Sequence, residues 1–110
     1  MRLDQQRLYD IIEAITAIHR YSVQGKETFD QNELIQVWCL RHLEIIGEAA
    51  AKLSEETRNQ LPNIPWRQLI GMRNILIHGY FDVNWNQVWN VVVHDLKPLQ
   101  DTIEKFLSEP

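Results

Sequence analysis

At 110 residues, with 45% hydrophobic and 24% charged side chains, the chain has the size and balance of one ordinary globular domain, taken as residues 1–110. Eleven Lys and Arg against fifteen Asp and Glu leave a net charge of −4, which excludes broad phosphate neutralisation and confines any nucleic-acid contact to a local patch. A single cysteine, Cys39, excludes an internal disulfide and a cysteine-built metal cluster; no signal peptide or membrane-length apolar run is visible, so a reducing, cytoplasmic setting is expected.

In chain order, Leu8, Ile11, Ile12, Ile15 and Ile18 recur at spacings of three and four, predicting a core-facing helix over residues 3–21. Gly25 breaks the pattern. Asp30 with Glu33 three residues on has the form of a capping box, with Phe29 placed as a hydrophobic staple, and predicts a second helix from Asp30 to about Leu53. Its small residues Gly47, Ala49, Ala50 and Ala51 let another backbone come close. Ser54 is a plausible cap for a brief turn over residues 57–61, and Pro62 and Pro65 force an extended connection. Pro65 then opens a third helix over residues 66–77, ended by Gly79. Asn84 with Gln87 opens a last helix through Val88, Val92, Leu96, Leu99, Ile103 and Phe106, with a kink at Pro98. Neither repeats nor strand-like alternation appear. The fold expected is all-α, an antiparallel bundle of four to five helices, and a chain this short often completes its core as a homodimer.

The stretch from Met72 to Phe81 concentrates polar groups beside a helix end: Arg73, Asn74, His78 and Tyr80. On a helix Asn74 and His78 share a face, and the long Arg73 side chain can reach toward the same phosphate. Metal-independent RNA cleavage needs a base for the 2′-hydroxyl, an acid for the leaving 5′-oxygen and a cation for the phosphorane. Histidine titrates near neutrality and can serve as base or acid, while guanidinium forks two phosphate oxygens. One chain offers one histidine in this motif, so two chains at a two-fold axis would supply both. The same residues also suit a helix C-terminus, where Arg and His satisfy the last carbonyls and Gly79 caps; spacing alone favours that structural role.

The pattern Arg, four residues, His, one residue, Tyr, here Arg73, His78 and Tyr80, resembles the signature of the HepT-like branch of the HEPN ribonuclease superfamily. Ile46-Gly47-Glu48-Ala49, Pro65-Trp66, Gly71-Met72-Arg73-Asn74, His78-Gly79-Tyr80-Phe81 and Val88-Trp89 are similar to that family in the same order, so the resemblance runs over residues 3–107. It implies the toxin of a type VII toxin–antitoxin system: a homodimeric endoribonuclease with tRNA as its expected substrate and a composite active site where both motif copies meet. It also implies Arg73 and His78 as catalytic residues, Asn74 in support, and a partner antitoxin, an MntA-type minimal nucleotidyltransferase, that adds AMP to Tyr80. No cofactor and no metal are expected.

For Tyr80 the alternative is a half-buried aromatic whose hydroxyl caps a loop. Glu48 is either a helix-surface charge or a groove residue that holds Arg73, and both readings stand. Arg67 and Arg41 are candidate RNA contacts, because an acidic protein needs its few cations near the active groove. His19, His42 and His94 have no ligand partner at helical spacing and are read as surface or packing residues. Trp38, Trp66, Trp85 and Trp89 are read as core before base-stacking groups. The functional alternative is a non-catalytic HEPN module that binds a nucleotide or a partner. A further rival makes the chain chiefly a substrate of its antitoxin, toxic by sequestering a target.

Overall fold

A computed structural model describes residues 3–75 and 82–109. The described residues are all helical or connecting: α1 (Asp4–Ser22), α2 (Lys26–Gln31), α3 (Glu33–Lys52), α4 (Glu55–Gln60), α5 (Trp66–Gly71), a 3-10 turn (Met72–Ile75), α6 (Trp85–His94) and α7 (Leu96–Ser108). The expected all-α bundle is therefore found, with more and shorter helices than the sequence reading divides it into.

The frame is the pair α1 and α3. The start of α1 meets the chain just past the end of α3, where Asp4 accepts hydrogen bonds from Ser54 and Thr57. Late α1 meets early α3, where the Trp38 indole N–H donates to the Ala17 carbonyl (2.7 Å) and Tyr21 packs edge-on against Trp38. The two helices thus run antiparallel. The isoleucine stripe of α1 does what its spacing predicts: Ile11 and Ile18 are fully buried, as are Ile46 on α3 and Ile103 on α7. Each such side chain contributes roughly 1.5–3 kcal/mol relative to exposure.

Three boundaries differ from expectation, each for a local physical reason. The first concerns Asp30, which does not cap the long helix. It lies inside the separate helix α2 and pairs with Lys26 at 2.6 Å, while Asn32 accepts from the Ile35 N–H (3.1 Å) and caps α3. Phe29, expected as a staple, is a core residue packed against Trp85 and Trp89 of α6. α2 opens at Gly25, whose φ of 98° lies where only glycine is at ease. Asn32→Ala is accordingly expected to lower unfolding free energy by about 1 kcal/mol. Asp30→Ala breaks only an exposed ion pair and is expected to cost about 0.3–0.5 kcal/mol; urea melts of the two variants check the order.

The second difference is near Pro98, where the last helix, expected as one kinked element, divides in two at Asp95, whose backbone stays helical (φ −103°, ψ −28°). α6 ends at His94 and α7 begins at Leu96, which puts Pro98 in the first turn of a new helix, where its missing N–H has no partner to lose. The third lies in the third helix, expected over residues 66–77: its α-helical part stops at Gly71 and tightens to 3-10 over Met72–Ile75. The expected end at Gly79 lies outside the described residues. The expected caps at Ser54 and Asn84 are both formed, accepting from the Thr57 and Gln87 N–H groups.

The Asp4 clamp carries a pH dependence. Hydrogen bonds from Ser54, then Thr57, hold the Asp4 carboxyl below its ordinary 3.8. A carboxylate with a depressed folded-state pKa adds stability above its unfolded value and loses it as pH falls through the folded one. Tm should therefore drop as pH falls below about 4, and Asp4→Asn should remove part of that drop; thermal melts from pH 6 to pH 2 measure both.

Candidate functional site

The motif begins on the 3-10 turn that follows α5. Trp66 anchors the start of α5 by donating its indole N–H to the Leu61 and Arg58 carbonyls (3.0 and 3.2 Å), and Leu69 buries against α3. At Met72 the backbone N–H bonds back to the Leu69 carbonyl, three residues earlier, and the chain tightens. Arg73 sits on this turn with its side chain exposed, and Asn74 follows in the same turn. Among the described residues Arg73 has no ion-pair partner.

The other predicted site residues are distributed as follows. Glu48 is half-buried on α3, directly after Gly47, and Gly47 lies against the Arg73 stem; no ion pair joins Glu48 to Arg73. Arg67 is exposed in the first turn of α5. Arg41 is exposed on α3 and pairs with Glu44 at 3.4 Å. It stands roughly 9 Å along α3 from Gly47, about 120° around the axis. His78 and Tyr80 lie outside the described residues. The structure thus brings together the α3 segment around Gly47 and Arg73. The Gly47 contact has no residue-level signal in the sequence beyond a small residue in mid-helix.

The histidines and tryptophans set aside in the sequence have structural surroundings. The His42 Nδ1 lies 2.8 Å from the Trp38 carbonyl oxygen, which can only accept, so that nitrogen carries the proton; the ring also packs on Trp38. His19 and His94 are exposed, and Trp89 is buried. Cys39 is buried, and loss of hydration pushes its thiol up to about 11, an unreactive state. Among the described residues no helix is long and apolar enough to cross a membrane.

Beside the 3-10 turn opens a hollow of about 390 Å³, lined by Leu43, Leu69 and Met72 on one side and Val88, Val91 and Leu99 on the other. Gln68, Asn84 and Gln87 form part of its polar margin. Arg73 does not line it, so the motif's cation and the apolar hollow are separate features of this end of the bundle.

Fold and turn together define a small all-α domain that presents an arginine-led motif at a helix end. The family model Ribonuclease HepT-like matches residues 11–106, from the middle of α1 to the last turns of α7, and the chain belongs to this HepT-like family of the HEPN superfamily. A provisionally named RNase of Methanocaldococcus jannaschii is 35% identical over 98 residues, covering 88% of this chain and 90% of its own. A second from the same organism is 35% identical over 103 residues, covering 93% and 85%. The protein named Probable ribonuclease HepT from Thermococcus cleftensis is 36% identical over 106 residues, covering 96% of both chains. No solved structure gives a significant match.

Proposed function

We propose that the protein is a metal-independent endoribonuclease and the toxin of a type VII toxin–antitoxin pair, active as a homodimer on tRNA. The observation that carries this reading is the exposed Arg73, without an ion-pair partner among the described residues, on a turn that lies against α3 at the head of the motif that continues in sequence to His78 and Tyr80. Family membership supports the ribonuclease class.

In the proposed reaction, His78 of one copy takes the 2′-hydroxyl proton, and the 2′-oxygen attacks the adjacent phosphorus. The 5′-oxygen leaves and receives a proton from the other copy's His78, giving a 2′,3′-cyclic phosphate and a 5′-hydroxyl end. Arg73 forks the non-bridging oxygens as charge builds on the phosphorane, with Asn74 in support. Arg67 contributes local positive charge that an acidic protein otherwise lacks, Arg41 adds to it when RNA draws it from Glu44, and Glu48 lines the groove beside Arg73. Silencing follows when an MntA-type nucleotidyltransferase transfers AMP from ATP to the Tyr80 hydroxyl, releasing pyrophosphate.

The test is incubation of unmodified protein with total tRNA in EDTA. Fragments ending in 2′,3′-cyclic phosphate are expected. Intact tRNA after incubation with folded, dimeric, unmodified protein would turn preference to a non-catalytic nucleotide- or partner-binding module.

A further inference from the structure

Gly47 lies in the middle of the 20-residue helix α3. Glycine in a helix interior costs about 1 kcal/mol relative to alanine, and alanine follows nearby at positions 49, 50 and 51. A glycine among alanines in a buried helix calls for a steric reason, and the neighbouring chain supplies one. A methyl group at position 47 would stand 2.7 Å from the Leu69 carbonyl oxygen, 2.9 Å from Arg73 Cγ and 3.3 Å from the Arg73 backbone nitrogen. The first and third of these neighbours are backbone, which cannot swing aside as a side-chain tip can. By contrast, a methyl group at Gly71, two residues before Arg73, meets nothing within 4 Å.

We propose that Gly47 is a positioning residue for Arg73: the absence of a side chain there lets the Leu69–Arg73 turn seat directly on α3 and fixes where the Arg73 stem leaves the surface. The inference rests on Arg73 serving as the phosphate-binding cation proposed above. An added methyl group would push the turn away from α3 and carry the guanidinium with it. Displacements of about 1 Å in a positioned group can cost roughly a hundredfold in rate. Substrate capture depends on the wider surface, so the loss falls on kcat and leaves KM nearly unchanged.

The experiment uses the full chain as Gly47→Ala, Arg73→Ala, the double variant and Gly71→Ala, read by tRNA cleavage kinetics, helical circular dichroism and thermal melting. Gly47→Ala is expected to keep its helical signal and to lose roughly tenfold to a hundredfold in kcat. Gly71→Ala is expected to hold or slightly raise Tm. The Tm drop caused by Gly47→Ala should be larger in the parent than in the Arg73→Ala background, where the Cγ contact no longer exists. That comparison needs no ribonuclease activity, so it separates the contact from the function: a parent that cleaves nothing while the two drops differ overturns the ribonuclease reading and keeps the Gly47–Arg73 coupling. Unchanged kcat in folded Gly47→Ala would overturn the proposal. So would equal Tm drops in both backgrounds, or failure of Gly47→Ala to fold even with Arg73→Ala, since each leaves the Arg73 side chain without a part in the contact.

Discussion

His78→Ala is expected to abolish measurable tRNA cleavage while leaving the helical signal and Tm intact. A positioned general acid or base is worth roughly 10²–10⁴-fold. In the proposed composite site the substitution would remove both histidines at once, one from each copy. The loss should therefore approach the upper end, about 5 kcal/mol of transition-state stabilisation. Mixed dimers give a sharper readout. A parent chain paired with a His78→Ala chain keeps one histidine in the shared groove and should be nearly as slow as the double loss, since one group cannot take and give a proton on opposite sides of the phosphorus in a single step. Half-activity in the mixed dimer would mean that each chain carries a complete site of its own. Arg73→Ala should cost roughly 10²–10³-fold, the usual scale for removing one oxyanion-stabilising donor. Arg73→Lys should recover only part of that, because a lysine restores charge but cannot fork two phosphate oxygens. Full activity in His78→Ala would end the catalytic reading.

The balance between what the residues announce and what only coordinates reveal follows from where the physics is local. The stripe Leu8, Ile11, Ile15 and Ile18 announces α1 because helical periodicity is a property of the segment itself, and the caps at Ser54 and Asn84 are equally local. The start of α3 is ambiguous in the sequence because two good capping residues, Asp30 and Asn32, stand two positions apart. Asp30 is captured by Lys26, one turn earlier in α2, which leaves Asn32 to cap α3. The division of the last helix at Asp95 goes with the kink expected at Pro98, whose missing N–H announces a lost hydrogen bond but not where one helix gives way to the next. The 3-10 tightening at Met72 is not legible: nothing in Met72-Arg73-Asn74 opposes an α-helix, and the neighbouring Leu69 and Arg73 lie against Gly47 of α3, a contact distant in sequence. For the same reason Arg73 is legible through its motif, while Gly47, which lies against its stem, is visible only as one of four small residues.

Tyr80→Phe is expected to separate cleavage from its control. Phenylalanine keeps the ring but lacks the oxygen that would attack the α-phosphate of ATP, so the variant should cut tRNA like the parent yet remain active after incubation with an MntA-type nucleotidyltransferase and ATP. The parent should gain the mass of AMP under the same conditions and lose cleavage. The size of that loss can be set from electrostatics. The new phosphodiester carries one negative charge two residues from His78, and two like charges about 5 Å apart at a partly dried surface repel by about 3 kcal/mol, roughly a hundredfold in affinity or rate. The bulk of the adenosine adds steric exclusion to this. High salt should restore only the small screened fraction, because a charge held within the groove is shielded less than one in open solution. Equal silencing of Tyr80→Phe and parent would place inhibition in the protein–protein contact itself. A parent fully modified on Tyr80 that still cleaves at its original rate would remove the regulatory role from this tyrosine and return it to packing.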